Sequence, residues 1–470
     1  MSRFIRLIVM MAVLTLVAAA CSSDDSSSET TAAAATETTV AAATETTVAA
    51  ATETTVAAAT ETTVATGDPV TIQIFYPVAV DAPIASIMDG YATDFQQKYP
   101  NITVEPVFSG GYGDVKTAIQ TTVEGGGEPP ALALMLAADI YDLANSGLIM
   151  PLDEFIAASP NAGAMVADYF PAFLANSQYA DQVWGIPFQR SDVLMYINKD
   201  RFAEAGLEAP TSWDELGTAA AALTVENGDQ TQWGIQWPSG WPYWTFQPLA
   251  IGAGQNIIGD SDTTVVFDNP DVISAVQFYI DLSEKYKATA PGVQGVWATA
   301  PTDFASGLTS IIVHSSGSLP GILEQADFEV GVMPVPGSEP GTFATVVGGG
   351  NLYIMDAVPQ EQKDAAWLFI EFLSEVERTA DFSVQTGYVA ARQSAYDTEI
   401  MQAYIAETPQ AGDARDALEY AGAEFSVQNL GEVRDIFHDY LQRAFNGEMS
   451  AADAMAAAQT ESDTALEPFK

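Results

Sequence analysis

The chain has 470 residues, with 62 Asp and Glu against 16 Lys and Arg, and a formal net charge of −46. Such a surface repels nucleic acid and anionic lipid headgroups, which excludes both as partners of the folded part. One Cys excludes a disulfide framework, and two His, in no His/Cys cluster at ligand spacing, give no metal site to expect.

Arg3 and Arg6 open the chain, residues 7–20 carry no charge, and the small pair Ala19-Ala20 precedes Cys21. That order reads as a signal peptide over 1–20, too short for a comfortable membrane span. Cleavage before a Cys resembles the lipobox of bacterial lipoproteins, so Cys21 is the expected lipidation site. Plain secretion with a leftover thiol is the alternative. Residues 36–59 are three copies of TETTVAAA, and a fourth begins at Thr60. A unit with one Val and no aromatic cannot build a core, and its three Thr oppose a helix despite the Ala. Residues 21–67 therefore read as a lipid-anchored disordered linker, a coil reaching roughly 35–40 Å.

The rest of the chain, about 400 residues, exceeds the usual size of one domain, so two lobes are expected. Alternating apolar residues predict a strand over 70–76, and Ile84, Ile87, Met88, Tyr91 and Phe95 predict one face of a helix. Pro100 stops that helix before a second strand over 102–108. Gly110, Gly111 and Gly113 read as a loop, followed by a helix over 114–124. An apolar run over 131–136 reads as a buried strand, and the helix after it ends near Asn145, with Gly147 just beyond. This alternation predicts an α/β fold with a mostly parallel sheet and helices on both faces. Ser212-Trp213-Asp214-Glu215 has the form of a capping box. Further helices are expected over 270–286, 360–374, 430–445 and 450–466, with Gly447 as the break between the last two.

Four of the eight Trp fall in QWGIQWPSGWPYW at 232–244. Pro238, Gly240 and Pro242 prevent one regular element there. Trp241 and Trp244 in such a segment suit a pocket wall that stacks on sugar rings or an aliphatic ligand, whereas Trp233 is assigned to core packing. The run Gly348-Gly349-Gly350 lacks the spacing of a phosphate loop. Asp260-Ser261-Asp262 reads as a turn rather than a calcium site. In so acidic a chain a glycosidase pair of carboxylates stays open as an alternative.

Several segments carry a resemblance: VFSGGYGD at 107–114, GIPF at 185–188 before YINKD, AGL at 205–207, PTSWDEL at 210–216, SGWPYW at 239–244, HSSGSLPGI at 314–322, VVGGGNLY at 346–353 and TGYVAARQSAYD at 386–397. In this order the chain resembles the extracellular solute-binding proteins of ABC importers, of the sugar and glycerol-3-phosphate-binding type. The resemblance implies a periplasmic-binding-protein-like fold, two α/β lobes joined by a multi-crossing hinge with the ligand cleft between them. It implies residues 68–190 and 315–356 as the N-terminal lobe, and 191–314 and 357–470 as the C-terminal lobe. Crossings are expected near 189–192, 314–318 and 355–360. The family's ligand contacts fall on Tyr112, Ser191, Trp241 or Trp244, Ser315, the backbone amide of Gly348, and Tyr388.

Two positions depart from the family: its binding Glu becomes Ala137 and its phosphate-gripping Arg becomes Ser426. Arg190 and Arg392 are the nearby cations that could replace that Arg, with Arg190 the possible anion partner. An ordinary surface or hinge ion pair is the other reading of both. The implied function is capture of a sugar or polyol-type solute for a membrane permease and its ATPase, by a monomer anchored outside the cell membrane. No cofactor, metal or catalysis is expected. A glycerol-phosphate-type ligand and a surface glycosidase are the alternatives.

Overall fold

The structure is a computed structural model that describes residues 67–228, 230–292 and 295–470. The expected signal peptide, Cys21 and the linker repeats lie outside these residues.

Strand β1 (Val70–Tyr76), helix α1 (Ile84–Lys98), strand β2 (Ile102–Phe108), helix α2 (Tyr112–Glu124) and strand β3 (Leu132–Leu136) follow in the expected order. In β1, Ile72, Ile74 and Tyr76 are buried while Thr71 and Gln73 are exposed, the period of two that a pleated strand imposes. In α1 the buried face contains Ile84, Ile87, Met88, Tyr91 and Phe95. Helix α2 begins at Tyr112, two residues earlier than expected, because Gly111 is its N-cap and the Asp114 carboxylate accepts the Gly111 N–H at 2.8 Å.

The sheet corrects the expectation of mostly parallel strands. The long strands β4 (Ile186–Asn198) and β7 (Phe343–Ile354) are joined by β5 (Gln230–Gln236) and β6 (Thr309–Ser315) in the order β2-β1-β3-β7-β4-β6-β5. Strands β1, β2 and β3 pair in parallel, as do β5 and β6. However, β7 runs antiparallel to both β3 and β4, and β4 runs antiparallel to β6.

Helix α3 (Trp213–Ala222) begins at the expected cap: Ser212 Oγ accepts the Glu215 N–H. The Glu215 carboxylate completes the turn on Thr211 instead of on Ser212, accepting from its N–H and hydroxyl. Helices α4 (Pro242–Ala253), α5 (Pro270–Glu284), α6 (Gln360–Leu373), α7 (Val376–Thr386), α8 (Leu430–Phe445) and α9 (Ala451–Leu466) complete the frame. Gly447, at φ 75°, separates the last two. No helix among the described residues is long and apolar enough to cross a membrane.

Two large buried clusters result. The first surrounds β1 to β3 and continues along one face of the sheet through Leu194, Tyr196 and Ile312. The second takes the alternate residues Val193, Met195, Ile197, Ile311 and Val313 and fills the opposite face under α3, α4, α5, α8 and α9. Helices α6 and α7 belong to the first cluster, where Phe369 and Phe372 lie 5.0 and 5.2 Å from Phe95 of α1.

Candidate functional site

The carboxyl ends of parallel strands are where an open α/β sheet exposes free backbone and loops. Here the loop after β1 brings Ala79 and Val80, the start of α2 brings Tyr112, and the end of β3 brings Leu136 to one cleft. The facing side comes from Trp241, Tyr243 and Trp244 at the start of α4, with Trp297, Ser315 at the end of β6, and Glu424. Ser191 of β4, Gly349 of β7 and Tyr388 complete the lining, around a cavity of about 40 Å³.

Six of the expected residues therefore meet: Tyr112, Ser191, Trp241, Trp244, Ser315 and Tyr388. Gln189 ties two of them together, because its Nε2 donates to the hydroxyls of Tyr112 and Tyr388, each at 2.9 Å. Burial raises both phenols well above their usual range, so they stay protonated. Ser191 makes no side-chain hydrogen bond among the described residues, whereas Ser315 Oγ accepts the Gly317 N–H at 3.1 Å.

Trp244 lies within α4 and is pinned there: its Nε1–H donates to Val347 O at 2.9 Å. Trp241 is the N-cap of the same helix and only half-buried. Trp233, assigned to core packing, is instead half-buried on β5 at a surface groove, whereas Trp237 and Trp244 are buried.

Gly349, next to Gly348, is the glycine that lines the cleft. A Cβ on Gly348 would sit 2.6 Å from the Trp244 indole, and one on Gly350 would sit 2.8 Å from the Tyr112 ring. Gly349, at φ 101°, would bring a Cβ within 2.0 Å of Gln189 O. The glycine run makes room for two aromatic walls and a close strand.

Arg190 does not reach the cleft. It is fully buried, its guanidinium donates to Asn351 Oδ1 at 3.0 Å, and it lies 5.2 Å from the Phe173 ring. Its Nη2 is 3.7 Å from Glu424 Oε2, an ion pair by distance without a hydrogen bond. Burial pushes the Glu424 carboxyl above the usual range, outweighing the pull of Arg190. Arg392 is remote, paired with Asp168 at 2.9 Å and donating to Ser374 O at 2.6 Å. The hinge ion pair is thus the reading that fits Arg190. Ala137 is buried, and Ser426 Oγ donates to the neighbouring Ala138 O at 2.6 Å.

Glu424, Gln189, Tyr243 and Trp297 were not among the expected residues. For Trp297 the signal was only a lone Trp in a Gly- and Pro-flanked stretch. Glu424 is one carboxylate among 62 acidic residues, and nothing in the sequence sets it apart. The arrangement can stack flat apolar faces and exchange hydrogen bonds with hydroxyls. Among the described residues lining this cleft, Glu424 is the single carboxylate.

The family model described as bacterial extracellular solute-binding protein matches residues 90–409. The sn-glycerol-3-phosphate-binding periplasmic protein UgpB of Pectobacterium atrosepticum is 24% identical over 423 residues, covering 83% of this chain and 92% of that protein. Its Escherichia coli K12 counterpart is 23% identical over 414 residues, with 83% and 92% covered. Among solved structures, UgpB from Mycobacterium tuberculosis in complex with glycerophosphocholine superposes with a TM-score of 0.75 at 25% identity, over 86% of this chain and 99% of that one. Maltose-bound MalE3 of T. maritima gives a TM-score of 0.72 at 20% identity, over 84% and 100%.

Proposed function

The chain belongs to the bacterial extracellular solute-binding proteins, and from that membership we propose that it captures a sugar or polyol-type solute in the aromatic cleft and hands it to an importer of the ATP-binding-cassette type. The observation that carries the choice of ligand is the cleft itself: indole and phenol walls around the free Ser191 hydroxyl, with no Lys or Arg among the lining residues. Aromatic faces match the C–H faces of a polyol ring, and hydroxyls match its rim. Capture, without turnover, is the role these groups suit. The two-lobed clamp and its crossings, with Tyr112, Ser191, Trp241, Trp244, Ser315 and Tyr388 as contacts, belong to the same proposal.

A melting-temperature screen over sugars, polyols, their phosphates and phosphodiesters tests this. Neutral solutes should raise the melting temperature most and glycerol 3-phosphate least, because an unpaired phosphate in a closed cleft bears a large desolvation cost. Trp244→Ala should weaken the best ligand by about 1–3 kcal/mol in calorimetry, the scale of one buried aromatic face. Micromolar binding of glycerol 3-phosphate would overturn the neutral-ligand reading. A polyol phosphodiester with a cationic head is the second reading, favoured by Glu424 in the same cleft as Trp241 and Tyr243.

A further inference from the structure

A strap of chain over 423–429 leads into α8, and Glu424 within it lines the cleft. The strap is rooted among the helices on one side. Phe425 lies 5.7 Å from the Tyr243 ring and 6.0 Å from the Phe267 ring. Gln247 of α4 accepts the Phe425 N–H at 2.9 Å and donates to Ala423 O at 3.0 Å. Asp262 accepts the Gln428 N–H at 2.7 Å on its backbone oxygen and the Gln428 Nε2 at 2.9 Å on its carboxylate.

On its other side the strap meets the turn and short helix after β3. Ser426 Oγ donates to Ala138 O at 2.6 Å, Asn145 Nδ2 donates to Gln428 Oε1 at 2.9 Å, and the Asn429 N–H donates to Asp142 Oδ1 at 3.1 Å. Lys116 of α2 fixes the receiving side, with its Nζ 3.1 Å from Asp139 and 3.2 Å from Asp142. A hydrogen bond exchanged for water costs little net, whereas lifting Phe425 out of its ring packing costs more. The side facing 138–145 is therefore the one that yields.

These bonds tie two walls of the cleft together. Leu136, just before Ala138, lines one wall, and Glu424, just before Ser426, lines the other. With the strap bonded in this way the cleft encloses about 40 Å³. One water needs about 10–15 Å³ of such volume, so the space takes about three waters, against the roughly 12 heavy atoms of a hexose. A bound hexose and this spacing of the walls exclude each other.

We propose that the strap is an autoinhibitory clasp: bonded to Ala138, Asp142 and Asn145, it holds the walls too close for the solute, which enters only the fraction of molecules whose clasp is released. This rests on the reading that the solute occupies this cleft. The apparent affinity is then the intrinsic affinity reduced by the released fraction. Weakening the clasp raises that fraction. Substitutions at Ser426 and Asn145, which are not among the lining residues, should therefore improve capture.

The first arm of the experiment needs no solute. Ser191 lines the cleft and is 3% exposed, so Ser191→Cys in the full chain places a thiol behind the clasp. Its labelling by N-ethylmaleimide is followed by mass spectrometry of the peptide that holds position 191. Adding Ser426→Ala or Asn145→Ala should speed that labelling about three- to tenfold, the worth of one hydrogen bond, in variants whose melting confirms that they fold. An unchanged rate overturns the clasp. The second arm is stopped-flow tryptophan fluorescence with glucose and maltose, in chains that keep Ser191. The same two substitutions should speed association and tighten binding several-fold. If a sugar binds and the substitutions only hasten its release, the bonds stabilise the loaded form and the clasp is wrong. If labelling responds as expected and neither sugar binds, the clasp stands and the fault lies with the choice of solute.

Discussion

Glycine does at 348–350 what a cavity-lining side chain does elsewhere. Trp244 and Tyr112 occupy the volume that side chains on Gly348 and Gly350 would need, and neither indole nor phenol is free to retreat. Trp244 is tied to Val347 O, and Tyr112 is tied to Gln189. Gly348→Ala should therefore overpack the floor and cost about 1–3 kcal/mol of stability, measured by urea unfolding, and weaken the ligand found in the screen. Wild-type stability and affinity in that variant would show that the strand and helix α4 separate without strain. The motif was visible in the sequence, but its role was not. Spacing excludes a phosphate loop, whereas only the fold shows which rings come to lie against the missing side chains.

At the scale of elements, β1 to β3 and α1 were legible because one face of each is polar and the hydrophobic period is clean. Strands β4 and β7 were not. All 13 residues of β4 are buried, yet its middle reads Gln-Arg-Ser-Asp, and β7 is interrupted by three glycines. Buried polar side chains in β4 break the pattern that marks a strand, and of the four only Ser191 lines the cleft.

One of them, Asp192, is completely buried with no hydrogen bond to either carboxyl oxygen, while its N–H donates to Ser316 Oγ at 3.1 Å. Burial pushes its carboxyl up to about 7. Between an unfolded value of about 4 and the folded value, the native state holds a proton that the unfolded chain has released. Stability from this group is therefore full at low pH and is lost as pH rises through the folded value. Asp192→Asn should leave the melting temperature near wild type at pH 4 to 5 but raise it at pH 8, by about 1 °C per kcal/mol relieved. Glu424 is displaced in the same direction, so some slope should persist in the variant. An equal loss at both pH values would mean that Asp192 works as an anion.

For the whole molecule, the question is how the folded part is held outside the cell. An apolar start ending at Cys21 suits a lipid anchor. Mass spectrometry of the membrane fraction should find a mature N-terminus at Cys21 carrying acyl mass. A mature N-terminus elsewhere, without that mass, would assign the chain to plain secretion. The charge of −46 bears on ligand choice at this scale too. It disfavours anions at long range in dilute salt, and screening removes most of that effect at physiological ionic strength. Selectivity then rests on the cleft, which Arg190, held by Asn351 and beside Glu424, does not reach.

The glycine floor also divides the cleft into parts with different mutational tolerance. Gly348, Gly349 and Gly350 leave no volume for drift, because a methyl at any of the three meets a ring or the backbone. Ala79, Val80 and Trp241 stand at the rim, half-buried. A lineage descending from this chain can acquire a new solute by exchanging rim residues one at a time while the floor stays constant. Laboratory selection for altered specificity has its productive positions there as well.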